Sequence, residues 1–530
     1  MTHKSGVAGW FGMWFLPVVV GVIALLAHGW STFLWLHLNP FPDGSQNEYF
    51  HVGNAYDLWS ALSTADVWHL RYYTAHSYWP PGLAIAAWPI FALFGASHGA
   101  LVAMNFFWLA LAFVGVAGLA RTPRRAAVAI ALLALCPGVF GPLVRFEPNI
   151  AQLATTALAL WMLDRDGLSS RRGALALGCL LGVGLMTDRL GTLPLVLGAL
   201  GWGVWCKRDR PETWRGLAWA ALPVLLIAGS WYLQWSQHQL AEVGSQLGMG
   251  EIDAAGHRTE GTTPFSIWTF FYYPLTLLDA QAGVVLGAGM LAALCWRARR
   301  DLTWTVLVGW LLFTLVQKKQ VFYTLPLLAP LVVVVSDAIE RLPKRLQRGG
   351  LALLILIGLH QVGGRQWGAG WPVQTPLGVA APLPDAWVGP RHVLARGPTH
   401  VGFPFDAVKS AIGETGAVVI FSDARPFYEG YVELGLRAED LSRRVITVRG
   451  NPLGVYEDFR QAHAFVVISD SSEWPSEGAL VGALVRDHYA LRELPPVTEL
   501  IAADAIHWNV VLEWSLSTGH VLTVWSRSAS

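Results

Sequence analysis

Charged residues are scarce in this chain. Only 14% of its 530 residues are Asp, Glu, Lys or Arg, while 54% are hydrophobic. Soluble globular proteins average about 25% charged residues. The net charge is +1 at pH 7, so the composition does not indicate a nucleic-acid partner. Charged residues are absent mainly from apolar runs, and these runs are long enough to span a bilayer, which indicates a membrane protein.

Cysteine is also rare. The four cysteines, Cys136, Cys179, Cys206 and Cys295, all lie within or at the ends of apolar runs. The segments expected outside the cytoplasm contain none, so no disulfide framework is expected there. The last third of the chain also lacks a Gly-rich phosphate fingerprint, a metal-ligand cluster and a nucleophile motif.

Long apolar runs fill the region 1–365, which is predicted to be a transmembrane domain of about 11 to 13 apolar segments. The first run, from about Trp10 to Leu36, is too long for the core of a signal peptide and predicts an uncleaved span. The segment 82–95 is short and bounded by prolines, so we expect it to be re-entrant or tilted. The other predicted spans lie near 99–120, 126–142, 150–163, 173–188, 190–206, 216–235, 281–296, 302–316, 321–337 and 350–363.

Basic residues cluster in short loops between these runs. The positive-inside rule makes such loops cytoplasmic. This places 39–81, 236–280 and everything beyond about 364 on the outer face of the cytoplasmic membrane. The clusters are Arg121/Arg124/Arg125, Arg165/Arg171/Arg172, Lys207/Arg208/Arg210/Arg215, Arg297/Arg299/Arg300 and Arg341/Lys344/Arg345/Arg348.

The remainder, 366–530, has a different pattern. Short β-rich runs at Ala417–Phe421 and Ala464–Ile468 are followed by Ser-Asp turns. Helical stretches are expected at Pro404–Ile412 and Glu457–Ala462. The alternation predicts a compact extracytoplasmic α/β domain.

An acidic stretch follows the first apolar run. We expect a helix over 47–59, where Glu48, His51 and Ala55 would share one face at i, i+3 and i+7. Asp43 lies just before it in a Pro/Gly turn. Carboxylates on a short helix at a membrane face suit a general base or a metal-phosphate site. The alternative is a solvated amphipathic helix with ordinary surface charges.

Two further motifs carry ionisable residues between apolar runs. Glu147 lies in a short loop that should face the same aqueous side as the acidic stretch, although a lone acidic loop is often only a loop. Asp188 and Arg189 lie where two apolar runs meet with little loop between them. Ionisable residues in such places are functional candidates. The alternative is a local ion pair that closes a tight turn.

The last two motifs combine aromatic residues with proline. Tyr78–Gly82 carries paired prolines at the entry to an apolar run, which can also be a simple helix start. Lys318 and Lys319 precede Tyr323 at the start of a late run. Cations on the outer face could bind a lipid phosphate, or they could only reach the headgroups of the bilayer.

The order of these motifs resembles the GT-C superfamily of membrane glycosyltransferases, close to the bacterial protein O-mannosyltransferase and aminoarabinose transferase-like family. That pattern is an acidic motif, a Tyr-x-Pro-Pro-like entry, a second acidic loop, a Thr-Lys/Arg span end and a late Lys…Tyr-x-x-Pro span. The resemblance covers about 8–365. Where relatives often have adjacent Asp-Glu, this chain has Asn47 before Glu48, with Asp43 five positions before Glu48. Relatives also often have an acid slightly beyond the position of Glu147.

The resemblance implies a polyprenyl-phosphate-linked sugar as donor and a lipid, glycan or protein as acceptor, with membrane lipids around the chain. Transfer would take place at the outer face of the membrane. An inverting transfer needs a base for the acceptor hydroxyl. Asp43 is the first candidate. Glu48 and His51 are alternatives, or ligands of a divalent cation (Mg or Mn) if one is used.

The same resemblance assigns the remaining substrate-binding residues. Arg189, Lys318 and Lys319 would stabilise the phosphate leaving group, and Tyr323 could hydrogen-bond it. Glu147 and Asp188 complete the predicted set. Two other classes of protein stay open. A secondary transporter would need paired repeats near mid-bilayer, and a non-catalytic scaffold would only bind a lipid-linked sugar.

Overall fold

The computed structural model describes most of the helical region and part of the C-terminal region. The described residues are 7–38, 46–68, 70, 79–165, 167–188, 192–234, 267–296, 299–315, 321–367, 404–413, 417–422, 436, 445–447, 462–470, 508–515 and 520–527.

The chain divides into two compact units. The first unit comprises Met1–Leu38, Trp68–Gly95 and Gly99–Gly397; the second comprises Asn39–Val67, Ala96–His98 and Pro398–Ser530. Residues 39–67, which the sequence assigns to the first outer loop of the transmembrane domain, are thus grouped with the second unit.

Helices make up most of the described structure. In chain order they are α1 (Val7–Leu38), α2 (Gln46–Ser63), α3 (Gly82–Phe94), α4 (His98–Ala120), α5 (Pro123–Ala134), α6 (Pro137–Leu143), α7 (Asn149–Arg165), α8 (Arg171–Thr187), α9 (Thr192–Cys206), α10 (Pro211–Val224), α11 (Ser230–Gln234), α12 (Ile267–Thr276), α13 (Val284–Cys295), α14 (Arg300–Leu315), α15 (Leu328–Arg341), α16 (Lys344–Trp367) and α17 (Phe405–Ile412). Short π-helical segments at Leu225–Gly229 and Leu277–Gln281 and a 3₁₀ segment at Val321–Leu327 join some of them.

Several of these helices are suited to cross a membrane. Among the described residues, 4 helical stretches are long and apolar enough by length and composition, or up to 5 if the bent pair α5–α6 counts as one span. Three shorter helices, Gly82–Phe94, Thr192–Cys206 and Val285–Cys295, are also apolar. The predicted polytopic helical membrane fold is confirmed. The longer stretches are Trp14–His37, His98–Ala120, Pro211–Gln234 and Phe322–Arg341.

Two predicted segments differ in detail from the structure. The predicted span 126–142 is two helices, α5 and α6, bent by 67° at their junction. Pro137 occupies the first turn of α6, and a proline there favours a new helix start over a continuous helix. The predicted outer loop 236–280 ends in helix α12. Its Tyr273 is fully buried, because this aromatic stretch packs into the helical unit.

Small residues allow close helix packing in the first unit. A Cβ atom added to Gly178 of α8 would lie 2.1 Å from the carbonyl oxygen of Ala220 in α10. One added to Gly216 of α10 would lie 2.2 Å from the carbonyl oxygen of Leu168. The helix backbones therefore touch directly, as is common between membrane helices.

The predicted cytoplasmic loops meet at one end of the first unit. The Asp164 carboxylate, near the end of α7, pairs with the guanidinium groups of Arg121 and Arg299. Arg299 lies 3.0 Å from Asp164 and 2.9 Å from Asp301. These ion pairs join loops that are far apart in sequence, so the three basic loops concerned lie on the same side, as the charge pattern predicts.

A second group of ion pairs forms beside the start of α5. Arg125 lies 2.7 Å from Asp337 and also pairs with Glu340. Arg341 lies 3.1 Å from the other oxygen of Asp337. Arg124 donates a hydrogen bond to Gln347 at 3.0 Å. The Asp337 and Glu340 carboxylates thus each form an ion pair with at least one arginine.

A small mixed sheet forms the core of the second unit. Its strand order is β2-β1-β3-β5-β4. β1 pairs in parallel with β2 and β3, and β5 pairs antiparallel with β3 and β4. The strands are β1 (Ala417–Ser422), β2 (Val445–Thr447), β3 (Ala462–Asp470), β4 (Trp508–Ser515) and β5 (His520–Arg527). Both predicted strands and the predicted helix at Pro404–Ile412 are confirmed. Of the expected helix Glu457–Ala462, only Ala462 is described, and it begins β3.

Candidate active site

The acidic stretch forms the predicted helix, α2, in the second unit. Glu48 and Ala55 are 0% exposed and His51 is 3% exposed. The three residues therefore share a buried face, as their spacing predicts. The alternative of ordinary surface charges is wrong for Glu48 and His51, because both side chains are buried.

The Glu48 carboxylate has a partner that the sequence does not reveal. The ring of His98, which is 5% exposed, donates a hydrogen bond from Nε2 to Glu48 Oε1 at 3.0 Å. A buried carboxylate is costly unless hydrogen bonds replace its lost hydration. His98 stands 50 positions away as the first residue of α4, after the short connection 95–97, and no motif in the sequence marks it.

The predicted metal ligands do not form a metal site on their own. Among the residues for which positions are described, no group of three or more His, Cys, Asp and Glu side chains could hold an ion. The Glu48 carboxylate is engaged by His98, and Asp43 lies outside the described residues. The need for Mg or Mn stays a prediction.

Glu147 lies in the loop between α6 and α7 of the first unit. It is 5% exposed, and its Oε2 accepts a hydrogen bond from the Asn149 side-chain amide at 2.9 Å. The loop is held from α4 by Asn105. That amide donates to the carbonyl oxygens of Leu143 at 3.2 Å and Arg145 at 2.6 Å. Glu147 is therefore presented on a fixed backbone.

Asp188 ends α8 and is also held from α7. Gln152 donates a hydrogen bond from its amide to Asp188 Oδ2. Three positions further along α7, the hydroxyls of Thr155 and Thr192 lie 2.8 Å apart. Asn149, Gln152 and Thr155 thus form a polar row at i, i+3 and i+6 along α7. This spacing is visible in the sequence.

Two of the sequence motifs touch each other in the first unit. A Cβ atom added to Gly82, at the start of α3, would lie 2.5 Å from the carbonyl oxygen of Met186 near the end of α8. Only glycine fits this contact. The Pro-Pro-Gly entry therefore lies directly beside the segment that carries Asp188.

The late motif packs against the same helix as Glu147. Its 3₁₀ segment, Val321–Leu327, lies against α7. The Tyr323 ring stacks on Phe313 with centroids 5.5 Å apart, and the Thr324 hydroxyl accepts a hydrogen bond from Gln281 at 3.0 Å. Elements bearing Glu147, Asp188 and Tyr323 thus all surround α7.

The other predicted site residues cannot be placed. They are Asp43, Arg189, Lys318 and Lys319, and they lie outside the described residues. Their roles stay predictions. The described part of the predicted set is divided between the units, with Glu48 and His51 in the second and Glu147, Asp188 and Tyr323 in the first.

Comparison with curated proteins finds a relative that matches about half of the chain. No protein-family model matches the sequence. The undecaprenyl phosphate-alpha-4-amino-4-deoxy-L-arabinose arabinosyl transferase of Edwardsiella ictaluri (strain 93-146) is 27% identical over 281 residues, which are 49% of this chain and 48% of that protein. The chain thus spans about half the length of the curated relative it matches.

Comparison with solved structures covers nearly the whole chain. ArnT from Cupriavidus metallidurans bound to undecaprenyl phosphate matches with a TM-score of 0.59 at 15% identity, over 98% of both chains. Its apo state matches with a TM-score of 0.56. The arabinofuranosyltransferase AftD from Mycobacteria has a TM-score of 0.51 at 13% identity, over 97% of this chain and 40% of its own. At such identities the likeness establishes the fold.

Proposed function

We propose that this chain, which has the fold of the GT-C superfamily of membrane glycosyltransferases, transfers a sugar from a polyprenyl-phosphate donor to an acceptor hydroxyl at the outer face of the cytoplasmic membrane. A fold alone does not fix an activity. The observation that carries the proposal is Glu48, a fully buried and hydrogen-bonded carboxylate in the acidic motif after the first helix.

The reaction is a single inverting displacement. A carboxylate accepts the proton of the acceptor hydroxyl while its oxygen attacks the anomeric carbon, and the bond from that carbon to the phosphate oxygen breaks. Polyprenyl phosphate leaves with the electron pair. Asp43 and Glu48 are the candidate bases, and the turn position of Asp43 favours it as the first.

The leaving phosphate gains negative charge as the bond breaks. Arg189, Lys318 and Lys319 are the proposed cations that stabilise this charge, and Tyr323 is the proposed hydrogen-bond donor. Glu147 is buried and Asp188 is half-buried, and both carboxylates suit hydroxyl groups of a bound sugar, since ionised carboxylates accept hydrogen bonds.

The decisive experiment measures transfer with the full-length protein in lipid nanodiscs. Radiolabelled polyprenyl-phosphate sugars serve as donors, and donor binding is measured separately. We expect Asp43→Asn or Glu48→Gln to lower transfer about 100-fold or more while donor binding is kept.

The matched control is Asp57→Asn. Asp57 is a partly exposed carboxylate on α2, nine positions from Glu48 and so on the opposite face of the helix. This variant should transfer sugar at nearly the wild-type rate. A wild-type protein that binds donors without transferring sugar would instead support the scaffold, and full activity in both acidic variants would remove Asp43 and Glu48 from catalysis.

A further inference from the structure

We propose that His98 is a positioning residue that holds the Glu48 carboxylate in one orientation for the transfer reaction. The inference rests on the proposed function and adds to it a residue that lies outside every motif of the sequence. Both side chains belong to the second unit. The bond between His98 Nε2 and Glu48 Oε1 is 3.0 Å long, which is a normal hydrogen-bond distance.

The surroundings of the pair favour a fixed geometry. Glu48 is 0% and His98 5% exposed at the side chain, so water does not compete for the bond. Among the described residues, the other ring nitrogen of His98, Nδ1, has no hydrogen-bond partner. A buried N–H without an acceptor is costly. The tautomer with the ring hydrogen on Nε2 is therefore favoured, because that N–H has Glu48 as its acceptor.

A positioned carboxylate matters for proton transfer. A general base must lie within hydrogen-bond reach of the proton that it accepts, and a third group that orients the base is a recurring feature of catalytic sites. A hydrogen bond to one oxygen limits the rotation of a carboxylate about its side-chain bonds. His98 holds Oε1, and in doing so it restricts the orientations in which the carboxylate can meet an acceptor hydroxyl.

Three variants separate positioning from simple stabilisation. His98→Leu removes the donor, whereas His98→Gln replaces it with an amide N–H that can reach the same oxygen. His28→Leu is the matched control. His28 is another buried histidine, whose Nε2 donates to the carbonyl oxygen of Ala134 at 2.9 Å in the first unit. It has no part in the proposed site.

The measurement is kcat and KM for sugar transfer in nanodiscs, with thermal midpoints recorded in parallel. We expect His98→Leu to lower kcat about 10-fold to 100-fold with KM for the donor within about twofold. His98→Gln should recover most of that loss, and His28→Leu should lower the thermal midpoint without lowering kcat. If His98→Leu does not fold, His98→Asn takes its place, because its shorter amide cannot reach Glu48.

A double variant gives the sharpest outcome. If His98 acts through Glu48, then His98→Leu added to Glu48→Gln should lower kcat no further. Wild-type kcat in His98→Leu, with activity lost in Glu48→Gln, would overturn the inference and leave the proposed function intact. A wild-type protein that transfers no sugar from any lipid-linked donor would overturn both.

Discussion

The two ends of helix α7 hold carboxylates through different kinds of donor. Asn149 and Asp164 stand about 23 Å apart along this helix, at a rise of about 1.5 Å per residue. At one end Asp164 pairs with the guanidinium groups of Arg121 and Arg299. At the other end Glu147 and Asp188 accept hydrogen bonds from the side-chain amides of α7.

The difference separates structural charges from functional ones. An ion pair cancels charge locally, and breaking it leaves the remaining partner unmatched. An amide donor on a helix fixes the orientation of a carboxylate. The Asp164 end therefore stabilises the bundle, whereas the Glu147 end holds its carboxylates in fixed orientations, which a substrate site requires.

Among the variants that test this comparison, Glu147→Gln should have the largest effect, and it tests the functional end. We expect sugar transfer to fall about 10-fold to 100-fold, which corresponds to about 1.4 to 2.7 kcal/mol. The thermal midpoint should hardly change, because glutamine keeps the size of the side chain and its amide oxygen can accept from Asn149. Initial transfer rates and thermal unfolding of the same preparation check this. Unchanged transfer rates with a lowered thermal midpoint would show that Glu147 has a structural role instead.

Asp337→Asn should have the next largest effect, and it should lower only the stability of the first unit. Asp337 is buried and pairs with Arg125 and Arg341. Losing its charge should destabilise the unit by about 1–3 kcal/mol, since both partners are partly exposed and can be rehydrated. The thermal midpoint measures this loss. Transfer per folded molecule should stay within about twofold, and a large fall in kcat would contradict the division of roles between the two ends.

Asp301→Asn should have the smallest effect, and it is pH-dependent. Asp301 lies just outside the predicted span 302–316. Burial alone would raise the pKa of Asp301, but the hydrogen bond and positive charge of Arg299 outweigh it and hold the pKa below its usual value. A lowered pKa in the folded state contributes stability at neutral pH, and that stability is lost as the pH falls through the folded pKa.

The variant should therefore be less stable than wild type by about 1 kcal/mol or less at pH 7. The difference should begin to shrink as the pH falls below about 4, the usual pKa of an aspartate, and should disappear once the pH is below the lowered pKa of the folded protein. Thermal midpoints of both proteins across this range give the comparison. A difference that grows in acid would show that Arg299 does not set the charge of Asp301.

The long helices could be predicted from the sequence because their apolar runs are continuous. Helix α4 begins at His98 and ends at Ala120, within one residue of the predicted span. The bend between α5 and α6 was missed because hydrophobicity continues across Pro137. Helix α12 was missed because the sidedness of basic loops assigned its region to an outer loop.

The candidate site was predictable only in part. Glu48 and His51 follow from helical spacing, which is a local property of the sequence. The pairing of Glu48 with His98 depends on how two distant segments fold together, and no spacing rule covers a separation of 50 positions. The amides of Asn149 and Gln152 lie between these cases. Asn149 is only two positions from its partner Glu147, but Asp188, the partner of Gln152, comes from a distant segment.

The contact between Gly82 and Met186 restricts where a lipid can enter. Backbone meets backbone at this point, with space for hydrogen but not for a methyl group. The isoprenoid tail of the proposed donor is far wider than that gap, so it cannot pass between Gly82 and Met186. Its route from the bilayer into the first unit must avoid this contact.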